Sequence, residues 1–185
     1  MNKTIMDTVT GSRIDLSHPS STDIDVKDIS NALSRLCRFG GHCQRFYSVA
    51  QHALLVSTLV EALGRPDLAL AALHHDSHEA YIGDMINPVK AFLSATGDSA
   101  FRQLGKSLDQ CIFAAFQINL AATDVAVIKE ADEWAFDIEV RELMAEPENI
   151  LAGPSKVAPN GITIEVMSQT RARDLFIARH ASLLR

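Results

Sequence analysis

Leu68-Ala69-Leu70-Ala71-Ala72-Leu73-His74-His75-Asp76-Ser77-His78-Glu79-Ala80-Tyr81-Ile82 is the stretch on which the reading of this chain turns. It opens on an unbroken apolar run, and Gly83 supplies a C-terminal stop, so one buried helix from Leu68 to Ile82 is predicted, with Asp67 placed to cap it. Ionisable side chains then arrive abruptly inside that helix. Either they find partners there, or the helix cannot be buried.

Working outward, Ser48 is a good N-cap for a preceding helix that carries Val49, Ala53, Val56 and Val60 inward and ends near Gly64, before Pro66. From Asp28 onward Ile29, Leu33 and Leu36 fall on one helical stripe, which Gly40-Gly41 should stop. Before it, Thr8-Val9-Thr10-Gly11-Ser12-Arg13-Ile14-Asp15 reads as two extended runs about a Gly-Ser turn, a small hairpin. Downstream, the Asn87-Pro88 turn leads to a short helix near Val89 to Leu93, then to helices from Asp98 to about Phe116 and from Thr123 to Met144. Glu146 to Gly161, with three prolines and two glycines, is expected to be a surface loop. Ile164 to Leu184 is expected to close the fold as a helix with Val166, Leu175 and Ile177 inward.

The sum is an all-α fold of six or seven helices with at most one hairpin: residues 1–26 form an N-terminal extension and 27–185 a single domain. Without βαβ alternation or a Gly-rich loop, a doubly wound nucleotide-binding sheet is excluded.

Composition narrows the function. The 185 residues hold 17 Lys plus Arg against 23 Asp plus Glu, 47% hydrophobic and 22% charged, which is the balance of a folded soluble domain and not of a disordered one. A net charge of −6 argues against wrapping a nucleic-acid duplex, since that binding needs a broad basic face, but it allows a small phosphorylated ligand. No apolar run approaches the ~20 residues of a membrane helix. Met1-Asn2-Lys3-Thr4 leads into a polar stretch without the apolar core of a secretion signal, so a cytoplasmic protein is expected. Cys37, Cys43 and Cys111 form no Cys-x-x-Cys pair and read as reduced, structural thiols.

The chemistry gathers on three helices: His52 lies in an apolar helix, His75-Asp76 ends an apolar run, and Asp132 sits within Val127 to Trp134 on a third helix, so the four could converge in a helical core. Two imidazoles and two carboxylates are costly in an apolar interior unless a divalent cation takes all four as ligands. Each has a plainer reading. His52 can be a hydrogen-bonded core histidine, His74 and His78 are weaker ligand candidates still, and Asp132 can pair with Lys129. Glu79, four residues after His75 and three after Asp76, shares their helical face and can handle a proton, or is simply a solvated carboxylate. Asp84, just past Gly83, can meet a ligand hydroxyl or merely shape its turn. Between Ile29 and Val60 there is no Asp or Glu, whereas Arg35, Arg38, His42, Arg45 and His52 all fall there. Guanidinium groups bind phosphate oxygens in paired hydrogen bonds, so that positive islet is the natural dock for an anionic substrate, with Phe39 placed to pack on a sugar or base. The plainer reading is that Arg35, and less readily Arg38 at the Gly-Gly break, faces solvent.

The ordered set His52, His75-Asp76, Asp132 resembles the H…HD…D signature of the HD superfamily of metal-dependent phosphohydrolases. The blocks Cys37 to His42, Tyr47 to His52, Leu73 to Asp84 and Pro88-Val89-Lys90 are similar to the branch holding bacterial 5′-deoxynucleotidases and phage deoxynucleotide triphosphohydrolases. The resemblance covers about residues 28 to 145. It implies an HD domain in which His52, His75, Asp76 and Asp132 hold one divalent ion (Mn, Co, Ni, Fe or Zn). It further implies hydrolysis of a nucleotide phosphoester with Glu79 as the catalytic acid, Arg38 on phosphate, Asp84 on the sugar 3′-hydroxyl and Lys90 as a further substrate contact. Phe39 stands where those enzymes carry a Trp that crowds out a 2′-hydroxyl. Removal of phosphate from deoxynucleoside monophosphates is the leading expectation, triphosphate release the alternative, and a non-catalytic nucleotide or metal sensor the rival from another class. Assembly as a homo-oligomer is also expected. A guanosine tetraphosphate hydrolase would follow His-Asp with a Glu-Asp pair, whereas Ala80 follows Glu79, and the second-metal histidines and Gly-Tyr-Pro motif of cyclic dinucleotide phosphodiesterases are missing.

Overall fold

In the computed structural model, residues 4–151 and 161–184 are described. The expected surface loop therefore lies partly outside the described residues, as does most of Met1-Asn2-Lys3-Thr4. The chain is all-α with one short antiparallel hairpin: β1 (Ile5–Asp7), β2 (Arg13–Asp15), α1 (Val26–Leu33), α2 (Val49–Ala62), α3 (Ala69–Leu73), α4 (Glu79–Ile82), α5 (Asn87–Ala95), α6 (Ala100–Ala115), α7 (Ala122–Leu143) and α8 (Gln169–Leu183).

α2 is the axis. Ser48 caps it as expected, its side chain accepting from the Gln51 N–H, and Val49, Ala53, Val56 and Val60 are fully buried. Nearly the whole helix surface is covered, so it forms the shared wall of two clusters. Its first half packs with Ile14, Ile29, Leu73, Leu108 and Phe176, and its second half with α3 and the inner face of α7 at Ile128, Ala131 and Ala135. Each fully buried leucine or isoleucine here contributes roughly 1.5–3 kcal/mol.

The long helix predicted over Leu68–Ile82 is broken. Pro66–Leu68 is a 3-10 turn in which Arg65 grips Asp67 at 2.7 Å, so Asp67 caps nothing, and residues 74–78 form a tight turn between α3 and α4. Across it Ser77, Glu79, Ala80 and Tyr81 donate to the carbonyls three residues back, while the His75 Nδ1–H closes onto the Ala72 carbonyl at 2.8 Å. Tightening to three residues per turn fans the side chains apart, and it splits one expected helix into two short ones.

Three other expectations shift. The first hairpin strand lies at Ile5–Asp7, because Thr8 to Ser12 is a turn pinned to α1 through Thr10, whose N–H and hydroxyl both donate to Asp28. α1 stops at Leu33, well before Gly40-Gly41, because the chain turns extended and Cys37 pairs with Ser48, with Val49 N–H on Leu36 O and Arg38 N–H on Tyr47 O. α8 begins at Gln169, capped by Ser168, and buries Ala172, Phe176 and His180, leaving Leu175 exposed and Val166 and Ile177 only half-buried.

His180 in that stripe meets His74, Nδ1 to Nε2 at 2.8 Å, and His74 Nδ1 meets Ser77 Oγ at 2.9 Å, so the last helix is tied directly to the turn. Burial, with His180 and then His75 beside it, pushes His74 from 6.5 down to about 3. Its folded pKa is thus depressed: the stability that rests on a neutral ring is intact above pH 6.5 and lost as pH falls toward the folded value. Between pH 7 and 5 the metal-free chain is expected to lose about 2 kcal/mol more than His74→Gln does, at about 1.36 kcal/mol per pH unit below the unfolded value. Denaturant titrations of both proteins check this, and parallel pH profiles would refute it.

Candidate metal centre

Three separate elements deliver the centre: α2 brings His52, the 74–78 turn brings His75 and Asp76, and α7 brings Asp132. His52 Nε2 lies 3.3 Å from His75 Nε2, 3.1 Å from Asp132 Oδ1 and 3.6 Å from Asp76 Oδ2, and His75 Nε2 lies 3.2 Å from Asp76 Oδ2. The ligand atoms of His52, His75 and Asp132 thus lie within 4.8 Å of one another, and Asp76, the fourth residue read as a ligand, joins them through the two imidazoles. Lys129, the local partner considered for Asp132, instead faces Glu133 at 3.8 Å.

The opposite ring nitrogens settle what faces inward. His52 Nδ1–H donates to Glu139 Oε1 at 2.7 Å, and His75 Nδ1–H to the Ala72 carbonyl. In the neutral tautomers both Nε2 atoms then present lone pairs to each other and to two carboxylates. Such a cluster of acceptors demands positive charge between its members. Without an ion a proton takes that place: burial and Arg38 oppose it, but Glu139 and Asp132 hold His52 up at about 9. A divalent cation would release that proton on binding, so the donor set fits one. The Asp132 side chain is 41% exposed while His52 is sealed, which leaves the centre open on the α7 side for water or a ligand.

Glu139 escaped the sequence reading. It accepts Arg38 at 2.9 Å (Nη2) and 3.3 Å (Nε) as well as His52, with no exposed surface. Burial would raise its carboxyl, but His52 and Arg38 keep it low. It lies seven residues after Asp132, two helical turns along the same face, and that spacing was the available signal. Burial also works against the charge of Arg38, yet Glu139, Asp76 and Asp84 bind its proton more firmly than usual.

Arg38 stacks over Phe39, its guanidinium carbon 5.5 Å from the ring centroid, and Phe39 in turn lies 6.1 Å from the Phe136 ring. Phe39 and Gly40 are both left-handed, at φ 57° and 60°. For a phenylalanine this costs on the order of 1–2 kcal/mol, held here by the clasp of Cys37 with Ser48.

Glu79 groups with Asp76 and His78, and not with His52, His75 and Asp132. It is 2% exposed, its Oε1 is 3.5 Å from Lys90 Nζ, and its Oε2 has no hydrogen-bond partner among the described residues. Burial, then Asp76 and Asp84, push its carboxyl up to about 8 against Lys90 and His78. Asp84, turned inward past Gly83, also has an unpartnered oxygen, and burial raises its carboxyl although Arg38 pulls it down. His78 Nδ1 meets Asp109 Oδ1 at 2.8 Å. His78, Lys90 and Asp109 line a cavity of about 310 Å³ with Ile82, Phe101 and Gly105.

Fold and site together define a helical protein with His/Asp groups able to hold a metal ion, compatible with an HD-type architecture. No known protein-family profile matches the chain. It is 33% identical over 189 aligned residues to the uncharacterized protein RCAP_rcc00048 of Rhodobacter capsulatus, covering 96% of this chain and 94% of that one, and it belongs to the same family. A shorter match, 49% identical over 71 residues and 38% of each chain, relates it to the uncharacterized protein YfdR of Escherichia coli K12.

Proposed function

We propose that the protein is a metal-dependent phosphohydrolase of the HD superfamily that removes phosphate from deoxynucleoside monophosphates. The observation that carries this reading is the pair of His52 and His75 Nε2 atoms 3.3 Å apart, each fixed from behind, with two carboxylates completing the ring. A divalent ion held there supplies Lewis acidity, lowering the pKa of water and drawing charge from a phosphoryl oxygen.

The chain's own groups divide the remaining work. Arg38, oriented by Glu139 through Nε and Nη2, offers its outer nitrogen to the phosphate and offsets its charge. Phe39 packs against the sugar or base, and Asp84 accepts the 3′-hydroxyl with its unpartnered oxygen. Glu79, protonated near neutrality because of its burial and acidic neighbours, passes its proton to the departing oxygen. Lys90 steadies Glu79 once that proton has left.

The deciding experiment is a panel of deoxy- and ribonucleotides with cobalt, manganese or magnesium, with the products separated. Orthophosphate from monophosphates supports the proposal, and tripolyphosphate from triphosphates would replace it with the triphosphohydrolase reading. Nucleotide binding without any turnover would overturn catalysis in favour of a sensor.

A further inference from the structure

We propose that Asp76, His78 and Glu79 form a second divalent-cation site, sharing Asp76 with the first, and that filling it withdraws Glu79 from proton transfer. The second clause rests on the hydrolase reading above, whereas the first stands on geometry alone. Each of the three residues offers a ligand atom, and these atoms lie within 4.8 Å of one another.

Two independent features single the group out from an ordinary polar cluster. His78 directs Nδ1 to Asp109 at 2.8 Å, so an Nδ1–H donated there fixes the tautomer that presents Nε2 as a lone pair, the carboxylate–histidine arrangement found behind metal ligands. Glu79, almost wholly buried, keeps an oxygen with no partner among the described residues, a cost normally avoided unless a ligand satisfies it. Of the three, His78 also lines the cavity of about 310 Å³, together with Asp109.

Lys90 sets the order of filling. Its ammonium, 3.5 Å from Glu79 Oε1, repels a cation beside that carboxylate, so the second site is the weaker. Activity therefore rises as the first ion binds and falls as the second occupies Glu79.

Calorimetric titration of the metal-free full chain with Mn²⁺, with bound metal counted independently, tests the site. Wild type is expected to take up two equivalents of unequal affinity. His78→Ala is expected to keep the tight one and lose the weak one, and the retained tight equivalent reports an intact fold. Asp109→Asn is expected to weaken the second equivalent about 10–100-fold. A single equivalent in wild type, or a second equivalent surviving in His78→Ala, would overturn the site. Inhibition by excess Mn²⁺ that persists in His78→Ala would overturn the withdrawal of Glu79. Failure of the hydrolase reading is seen separately, as two bound equivalents with no turnover of any nucleotide, and it leaves the cation site supported.

Discussion

Asp132→Ala is expected to lose the divalent ion and phosphate release together, whereas Glu79→Gln is expected to keep an ion in the first site and lose turnover by about 10²–10⁴-fold. The contrast follows from position. Asp132 Oδ1 lies 3.1 Å from His52 Nε2, inside the ring of acceptors, and removing it leaves two imidazoles and Asp76 to bind an ion on an open face. Glu79 stands outside that ring, beside Asp76 and Lys90, and its amide replacement keeps shape while abolishing the transferable proton. His75→Ala should behave as Asp132→Ala does. Metal content after dialysis and phosphate release, measured on the same preparations, check all three, and an active Asp132→Ala protein would contradict the ligand assignment.

Glu139→Ala is expected to destabilise the fold by about 3–5 kcal/mol, because it strands a buried guanidinium. Arg38 and His52 both rest on this fully enclosed carboxylate, at 2.9 and 2.7 Å. The remaining folded protein should also bind its metal about 10–100-fold more weakly, since His52 loses the group that orients it. Glu139→Gln retains one acceptor and should fall between the two. Denaturant midpoints and metal titrations separate the effects, and a wild-type midpoint for Glu139→Ala would rule out the network as a stabilising element.

Residues with strong local chemistry were legible in the sequence. Ser48 announced α2, and the apolar spacing of Val49, Ala53, Val56 and Val60 gave its inner face. His52 and the His75-Asp76 pair could be singled out because they interrupt or end an apolar run. Asp132, set among Lys129, Glu130 and Glu133, was instead picked out by its place on a third helix and its order in the H…HD…D set. The structure brings the four together around His52 Nε2. Glu139 was illegible by that logic, since it sits among other charges on α7 and its partner Arg38 is 101 residues away. The break at 74–78 was hidden because helix propensity carries no record of a side chain, here His75, closing on a carbonyl behind it. The inner stripe of α8 was misread for a related reason. It buries His180, which apolar periodicity cannot anticipate, and exposes Leu175, which it would have placed inside.

The separation between α2, the 74–78 turn and α7 bears on how the chain acquires its centre. Turn and helix lie close in sequence and can meet during early collapse, but Asp132 and Glu139 must return across a long intervening segment. Closure of that loop is expected to follow the contacts of α2 with the turn, so that the ring of ligands is completed last. An ion would bind too weakly to the nascent chain to guide it, and would act as a latch on a structure already formed.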